Sequence, residues 1–182
     1  MSTARLTLVS HGSTAALRAA RFPLDEHVEP RALDAARDVS LRPPDHALVD
    51  ASNRCRETAQ ALGLDADVDQ RLADLDTGRW RGLELDEVDP ADLAAWMTDP
   101  AAAPHSGESI LALLERVSAW LVERPAGRTV AVTHPAVVRA VLLTALAADP
   151  VSFWRVDVPP LTTTSLHGSN GRWTLRHVNR LL

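Results

Sequence analysis

Short apolar runs alternate along the chain with segments of helical periodicity. Residues 5–10 (RLTLVS) have strand length and end at the turn-like His11-Gly12-Ser13. Residues 15–20 and 32–39 are alanine-rich and helical in character, and Pro23 and Pro30 break the chain between them. A second apolar run, residues 46–51 (HALVDA), leads to Ser52-Asn53, an N-cap for a helix reaching about Leu62 and closed by Gly63. Residues 67–71 read as a short strand. The stretch 73–104 is punctuated by Gly78, Gly82, Pro90, Pro100 and Pro104, which predicts only short helices near 83–88 and 91–97.

The second half is more regular. Ser106 is read as opening an amphipathic helix in which Ile110, Leu113, Leu114, Val117, Trp120 and Leu121 recur at helical spacing. Residues 128–133 (RTVAVT) are β-branched and apolar on both faces, the pattern of a central strand. Pro135 suits a first helical position, and the helix it opens, to Ala147, is apolar almost all round and therefore buried. Residues 161–167 and 172–178 flank Gly168-Ser169-Asn170-Gly171, which predicts a hairpin. Strands alternating with helices imply one α/β domain over residues 1–182. It is a three-layer α/β/α sandwich with a mostly parallel sheet and an antiparallel C-terminal edge hairpin.

Composition narrows the chemistry. The 182 residues suffice for a core that needs no disulfide or metal staple. All 19 basic residues are arginine, which excludes Schiff-base, pyridoxal-phosphate and phosphate-loop lysines. Tyrosine is absent, and Cys55 alone makes neither an internal disulfide nor a thiolate cage. A net charge of −5 argues against nucleic acid as a partner. No apolar run approaches the ~18 residues of a membrane span, and residues 1–10 are too short for a signal peptide, so a cytoplasmic protein is expected. Oligomeric state is not readable.

In a parallel sheet, ligands bind beyond the carboxyl ends of the strands. Three segments fall there: Ser10-His11-Gly12, Asp50 to Arg54, and Thr133-His134-Pro135. His134 also stands at a helix N-terminus, where free N–H groups attract an anion. Two imidazoles, a guanidinium and a helix end form a receptor for a phosphate-sized anion. No HExxH or other metal-ligand spacing occurs, so neither metal nor cofactor is expected.

These residues carry a resemblance. Leu8-Val9-Ser10-His11-Gly12-Ser13-Thr14 resembles the opening L-V-R-H-G-x-T signature of the histidine phosphatase superfamily, the phosphoglycerate-mutase-like proteins. Arg54-Cys55-Arg56-Glu57-Thr58-Ala59 resembles that family's R-A-x-x-T-A helix start. Leu72-Ala73-Asp74 with Gly78-Arg79-Trp80-Arg81-Gly82, Pro104 to Ser109, and Val132 to Pro135 are similar to its later motifs, in order over nearly the whole chain. The segments around Trp80 and Ser106 look most like the shorter phosphatase members, including those similar to α-ribazole phosphatase.

The resemblance implies a metal-independent phosphomonoesterase acting on a small soluble phosphate ester. His11 would attack phosphorus to give a phosphohistidine, Gly12 would let the phosphate approach closely, and Arg54 and His134 would bind its oxygens. Asp74 would protonate the leaving oxygen, with Asp76 a rival. Trp80 is the tryptophan placed to touch substrate, Cys55 reads as a small buried hydrophobe, and His105 as a cap for the long helix. Three departures stand out. Ser10 replaces the family's phosphate-gripping arginine, Asp50 stands where serine is common, and Asp74 replaces a glutamate. One charge-assisted contact is worth ~1.5–3 kcal/mol, enough to slow catalysis ten- to a hundredfold. Ser10 itself, Arg18 and Arg21 are the candidates to contact phosphate instead. The alternatives are a weakly active or inactive phosphate-ligand binder and a phosphoglycerate-type mutase.

Overall fold

A computed structural model describes residues 3–169 and 172–182. Its elements are β1 (Ala4–Ser10), α1 (Ala15–Arg18), α2 (Pro30–Arg37), β2 (His46–Val49), α3 (Asn53–Ala61), β3 (Asp67–Val68), α4 (Pro90–Thr98), α5 (Ile110–Val122), β4 (Gly127–Thr133), α6 (Pro135–Leu146), β5 (Thr162–Ser169) and β6 (Arg172–Leu181). One-turn 3₁₀ segments cover Gln70–Leu72, Gly78–Trp80 and Leu85–Glu87, and a longer one covers Pro150–Arg155.

The strands form one sheet in the order β3-β2-β4-β1-β5-β6. β3, β2, β4 and β1 run parallel, while β5 is antiparallel to β1 and β6 to β5. The mostly parallel sheet with an antiparallel edge is therefore the architecture expected from the sequence. The tip residues Asn170 and Gly171 of the expected hairpin lie outside the described residues, but Ser169 pairs with Arg172 across it.

The two faces carry separate cores. Leu6, Leu8 and Ala131 pack with α5 and α6 through Leu113, Val117, Trp120, Val137 and Val141. Val9, Val130 and Val132 face α2 and α3 through Ala36, Cys55 and Ala59. Alternate residues of β1 and β4 thus serve opposite layers, which is why both strands read as continuously apolar. No helix among the described residues is long and apolar enough to cross a membrane.

Three boundaries differ from the sequence reading, each for a local reason. α5 begins at Ile110 rather than near Ser106, and Ser109 is its cap, accepting a hydrogen bond from the Ala112 amide. The chain ahead of it is held elsewhere: a Cβ on Gly107 would lie 2.0 Å from the Asp76 carbonyl, so two backbones touch there. β3 stops after Val68 because Asp69 turns inward, its carboxylate accepting from Arg71 and from Trp120 Nε1. The expected helix near 83–88 is only the 3₁₀ turn Leu85–Glu87.

Candidate active site

Parallel pairing of β1 with β4 sets Ser10 beside Thr133, so the two residues that follow, His11 and His134, leave the sheet at the same edge. The His11 amide donates to the Thr133 carbonyl at 3.0 Å, and the two imidazoles lie 5.2 Å apart, edge to face. β2 lies on the other side of β4, and its continuation brings in Asp50 and the start of α3 with Arg54. Asp74 arrives after the 3₁₀ turn Gln70–Leu72, which Thr133 anchors by donating its hydroxyl to the Leu72 carbonyl at 2.7 Å. Four segments distant in sequence converge at one point.

His11 Nδ1 lies 2.8 Å from the Gly12 carbonyl. A carbonyl only accepts, so Nδ1 carries the hydrogen and Nε2 keeps a free lone pair. Burial, reinforced by the neighbouring charges of His134 and Arg54, pushes the ring's pKa down to about 3, so the imidazole is neutral at ordinary pH. Neutral and tautomerically fixed, it is ready to act as a nucleophile.

Arg54 is buried and fully engaged. Nη2 donates to Asp74 Oδ2 at 3.0 Å, Nη1 to the Leu24 carbonyl at 2.8 Å, and Nε lies 3.3 Å from His134 Nδ1. Asp74 Oδ2 is also 3.4 Å from His134 Nδ1. On the ring's other side, Nε2 donates to Asp50 Oδ2 at 2.7 Å, and Cys55 Sγ lies 3.4 Å away. Burial opposes a charge on His134, but the Asp74 carboxylate and the Asp50 hydrogen bond outweigh it and hold the ring's pKa up at about 10. Burial likewise opposes ionisation of both carboxyls. His134 and then the Ser52 amide keep Asp50 ionised well below the usual range, and the charges of His134 and Arg54 keep Asp74 ionised. Asp50, unexpected in the sequence, orients a histidine.

A cavity of about 190 Å³ opens onto this cluster, with His11, Arg54, Asp74 and the first turn of α6 at its floor. Its walls are largely apolar: Leu17, Phe22, Trp96 and Trp154. Asp76 is elsewhere, exposed, accepting from the Gly78 amide and paired with Arg81. Of the two carboxylates weighed for one role, Asp74 alone lines the cavity.

Other expectations need correction. The Ser10 hydroxyl donates to the Pro159 carbonyl at 2.6 Å and accepts from the Thr162 amide at 3.1 Å. Committed to the β5 side, it does not line the cavity. Arg18 is exposed and paired with Glu29, outside the cavity. Arg21 stands in the cavity wall, paired with Glu84 at 2.6 Å. A Cβ on Gly12 would meet Val28 Cγ1 at 2.5 Å and Ala32 Cβ at 3.2 Å, so glycine is required there for packing against the chain at α2. Trp80 is buried against Phe22, Trp96 and His105 and does not reach the cavity. His105 accepts from the Gly107 amide and does not cap α5.

Two residues escaped the sequence reading. Thr58 accepts from the Gly12 amide at 3.0 Å and donates to the Arg54 carbonyl at 2.7 Å, tying the His11 loop to the Arg54 helix. Its signal was present, as the threonine of the second motif. Arg139, in the cavity wall, is the one charged side chain in otherwise apolar α6. It donates to the Val156 carbonyl at 2.7 Å, and its guanidinium lies 5.5 Å from the Trp154 ring.

Comparison with known proteins supplies the family and the fold. Residues 6–181 match the model of the histidine phosphatase superfamily, branch 1. Phosphoserine phosphatase 1 of Hydrogenobacter thermophilus is 28% identical over 131 residues, covering 68% of this chain and 62% of that protein. The chain thus spans less than two thirds of that relative. The crystallised mycobacterial glucosyl-3-phosphoglycerate phosphatase complexed with VO3 superposes with a TM-score of 0.82 at 25% identity, covering 97% of this chain and 98% of that one. A putative α-ribazole-5′-P phosphatase from Escherichia coli shares the fold, with a TM-score of 0.82 at 21% identity over 98% of each chain. The matched residues 6–181 include His11, Arg54, Asp74 and His134, and the chain belongs to the histidine phosphatase superfamily.

Proposed function

We propose that the protein is a metal-independent phosphomonoesterase that hydrolyses a small phosphate ester through phosphohistidine. The observation that carries this reading is His11: Nδ1 tied to the Gly12 carbonyl, Nε2 free, beside Arg54 at the cavity floor, with the buried His134 ring 5.2 Å away. His11 Nε2 attacks phosphorus while the ester oxygen departs. Arg54, His134 and the N-terminus of α6 take the equatorial oxygens, where charge accumulates.

Asp74 supplies the proton for the leaving oxygen. In the free protein the neighbouring cations keep it ionised. A phosphate dianion that engages Arg54 and His134 withdraws those cations from Asp74 and sets negative charge beside it, raising its affinity for a proton. After the alcohol leaves, the same carboxylate accepts a proton from water as that water attacks phosphorus, and His11 is regenerated.

The leaving group lies against Trp96, Trp154, Phe22 and Leu17, with Arg139 and Arg21 alongside. This lining suits an ester with a flat or apolar face and a second anionic group. The named relatives act on phosphorylated acids, phosphoserine and glucosyl-3-phosphoglycerate, which share the second anionic group.

The test is phosphate release from a panel of phosphomonoesters in the presence of chelator, with acid-labile phosphoprotein measured in parallel. Turnover and phosphoprotein in the native chain, both lost in His11→Ala, are expected. Equal turnover in both proteins refutes the assignment. Phosphate binding without turnover on any ester makes the protein a binder instead. Dependence on a bisphosphate primer makes it a mutase.

A further inference from the structure

The reaction uses the Nδ1 side of His134, while its Nε2 side faces a second buried cluster. There Asp50, Cys55 and His134 place a carboxylate oxygen, Sγ and Nε2 all within 4.8 Å of one another. Sγ is 3.4 Å and Oδ2 2.7 Å from Nε2. All three residues are buried, Cys55 and His134 completely. Among the described residues, the one further hydrogen bond to these atoms is that of the Ser52 amide to Asp50 Oδ2.

We propose that these three side chains form a binding site for a thiophilic divalent cation, of the Zn²⁺ class, and that its occupation switches the enzyme off. Tetrahedral zinc takes nitrogen and oxygen at ~2.0 Å and sulfur at ~2.3 Å, which demands N···S separations of about 3.5 Å and N···O separations of about 3.3 Å. The N···S separation already fits, and the N···O separation must open by about half an ångström. The thiolate and imidazole select Zn²⁺ or Cd²⁺ over Mg²⁺ and Ca²⁺, which prefer oxygen. On binding, the thiol hydrogen and the Nε2 hydrogen leave to solvent as protons, and the ion takes their places.

Asp50, the outermost of the three, lines a recess beside the main cavity together with Ser52, Arg54 and Asp74. The Ser52 hydroxyl is buried and has no hydrogen-bond partner among the described residues, while its own amide is bound to Asp50. It is the group available to hold a water completing the metal's shell. Inhibition follows from position. Seating the ion moves the His134 ring, and Cys55 is the helix neighbour of Arg54, so both phosphate ligands shift together. Misplacement of catalytic groups by ~1 Å can cost ~10²-fold in rate.

Because Cys55 is the only cysteine, a thiolate-to-Cd²⁺ charge-transfer band reports this site alone. Cd²⁺ titration of the native chain is expected to give that band at one ion per chain, with Zn²⁺ competing and Mg²⁺ not. Cys55→Ala is expected to abolish the band and to weaken Zn²⁺ binding by about tenfold or more, and Asp50→Ser to weaken both. Phosphatase activity of the native chain is expected to fall by tenfold or more with Zn²⁺ and to recover with chelator. Absence of the band in the native chain, which requires no variant to fold, overturns the proposal. So does unweakened Zn²⁺ binding in Cys55→Ala. A band without loss of turnover overturns the switching role. That arm rests on the phosphatase reading and the spectroscopic arm does not, so the two can fail separately.

Discussion

Replacing Asp74 by asparagine sets two effects of one carboxylate against each other. Asp74 Oδ2 is 3.0 Å from Arg54 Nη2 and 3.4 Å from His134 Nδ1, so it occupies the position of an anion between the two phosphate ligands. An incoming phosphate must displace a charge-assisted contact worth ~1.5–3 kcal/mol. The asparagine side chain retains the shape but not the charge, so inorganic phosphate should bind about 10- to 150-fold more tightly. The same change removes the proton donor. Alkyl esters need that proton and should lose ~10²–10⁴ in rate. p-Nitrophenyl phosphate expels a stable phenolate, so its first step should survive while water attack on phosphohistidine, now without a base, slows. Stopped-flow measurement of Asp74→Asn should therefore show a burst of nitrophenolate of about one equivalent, then a slow steady state. Calorimetry with phosphate reads the affinity. A lost burst, or phosphate binding that weakens, would refute the assignment of Asp74.

Other consequences follow from the same geometry. His11 has its pKa lowered to about 3 from 6.5, so the folded chain resists a proton that the unfolded chain accepts. The stability this contributes is complete above pH 6.5 and is lost as pH falls toward 3, at up to ~1.4 kcal/mol per pH unit. Denaturant melts between pH 6.5 and 4.5 should show a smaller loss in His11→Gln than in the native chain. Ser10→Ala removes the hydroxyl between the Pro159 carbonyl and the Thr162 amide. It should cost ~1–3 kcal/mol of stability by urea titration, with phosphate affinity nearly unchanged because the hydroxyl points away from the cavity. Gly107→Ala drives a methyl to 2.0 Å from the Asp76 carbonyl, a backbone atom that cannot step aside. Thermal melts should register a loss of about 3 kcal/mol or more, and kcat should fall with it as the loop after Asp74 is displaced.

The fold was legible because its signals are local. The apolar pattern of residues 128–133, the proline at 135 and the alanine-rich helices each specify an element without reference to distant partners, and the strand ends locate the site. Side-chain direction past those ends was not legible. Nothing near position 10 tells that the serine hydroxyl turns to Pro159, because Pro159 and Thr162 are about 150 residues away in sequence. Nor does the sequence around Trp80 distinguish it from Trp154. The choice is made by the cluster of Phe22, Trp96 and His105, which encloses Trp80. Arg139 was hidden for the opposite reason. A lone charge in an apolar helix reads as an exception to burial until the cavity it faces is known.

On the proposed reading, charge offsets the serine at position 10, where the resemblance implies an arginine. Arg54 and a protonated His134 face Asp74 and Asp50, and Glu26 lies 3.9 Å from Arg54 Nη1, so carboxylates offset both cations of the resting cluster. The carboxylates are not equivalent. Asp50 is fixed on the Nε2 side of His134, opposite Arg54 and Asp74 on the Nδ1 side, where it holds the ring cationic without competing for the anion. Asp74 alone stands in the anion's path. Taking up one proton from solvent or substrate, it leaves Arg54 and His134 facing one carboxylate fewer next to His11 Nε2. The attraction that an arginine at position 10 would supply permanently is thus supplied on demand, at the moment Asp74 acquires the proton that the leaving group needs. On this logic phosphate affinity should strengthen toward acidic pH in the native chain and lose that dependence in Asp74→Asn, whose affinity is already that of the protonated state. Calorimetric titration across pH 5 to 8, corrected for the ionisation of phosphate itself, measures it. A native chain whose corrected affinity is flat with pH, or an Asp74→Asn variant that retains the slope, would place the compensating charge elsewhere, with Arg139 the next guanidinium in the cavity wall.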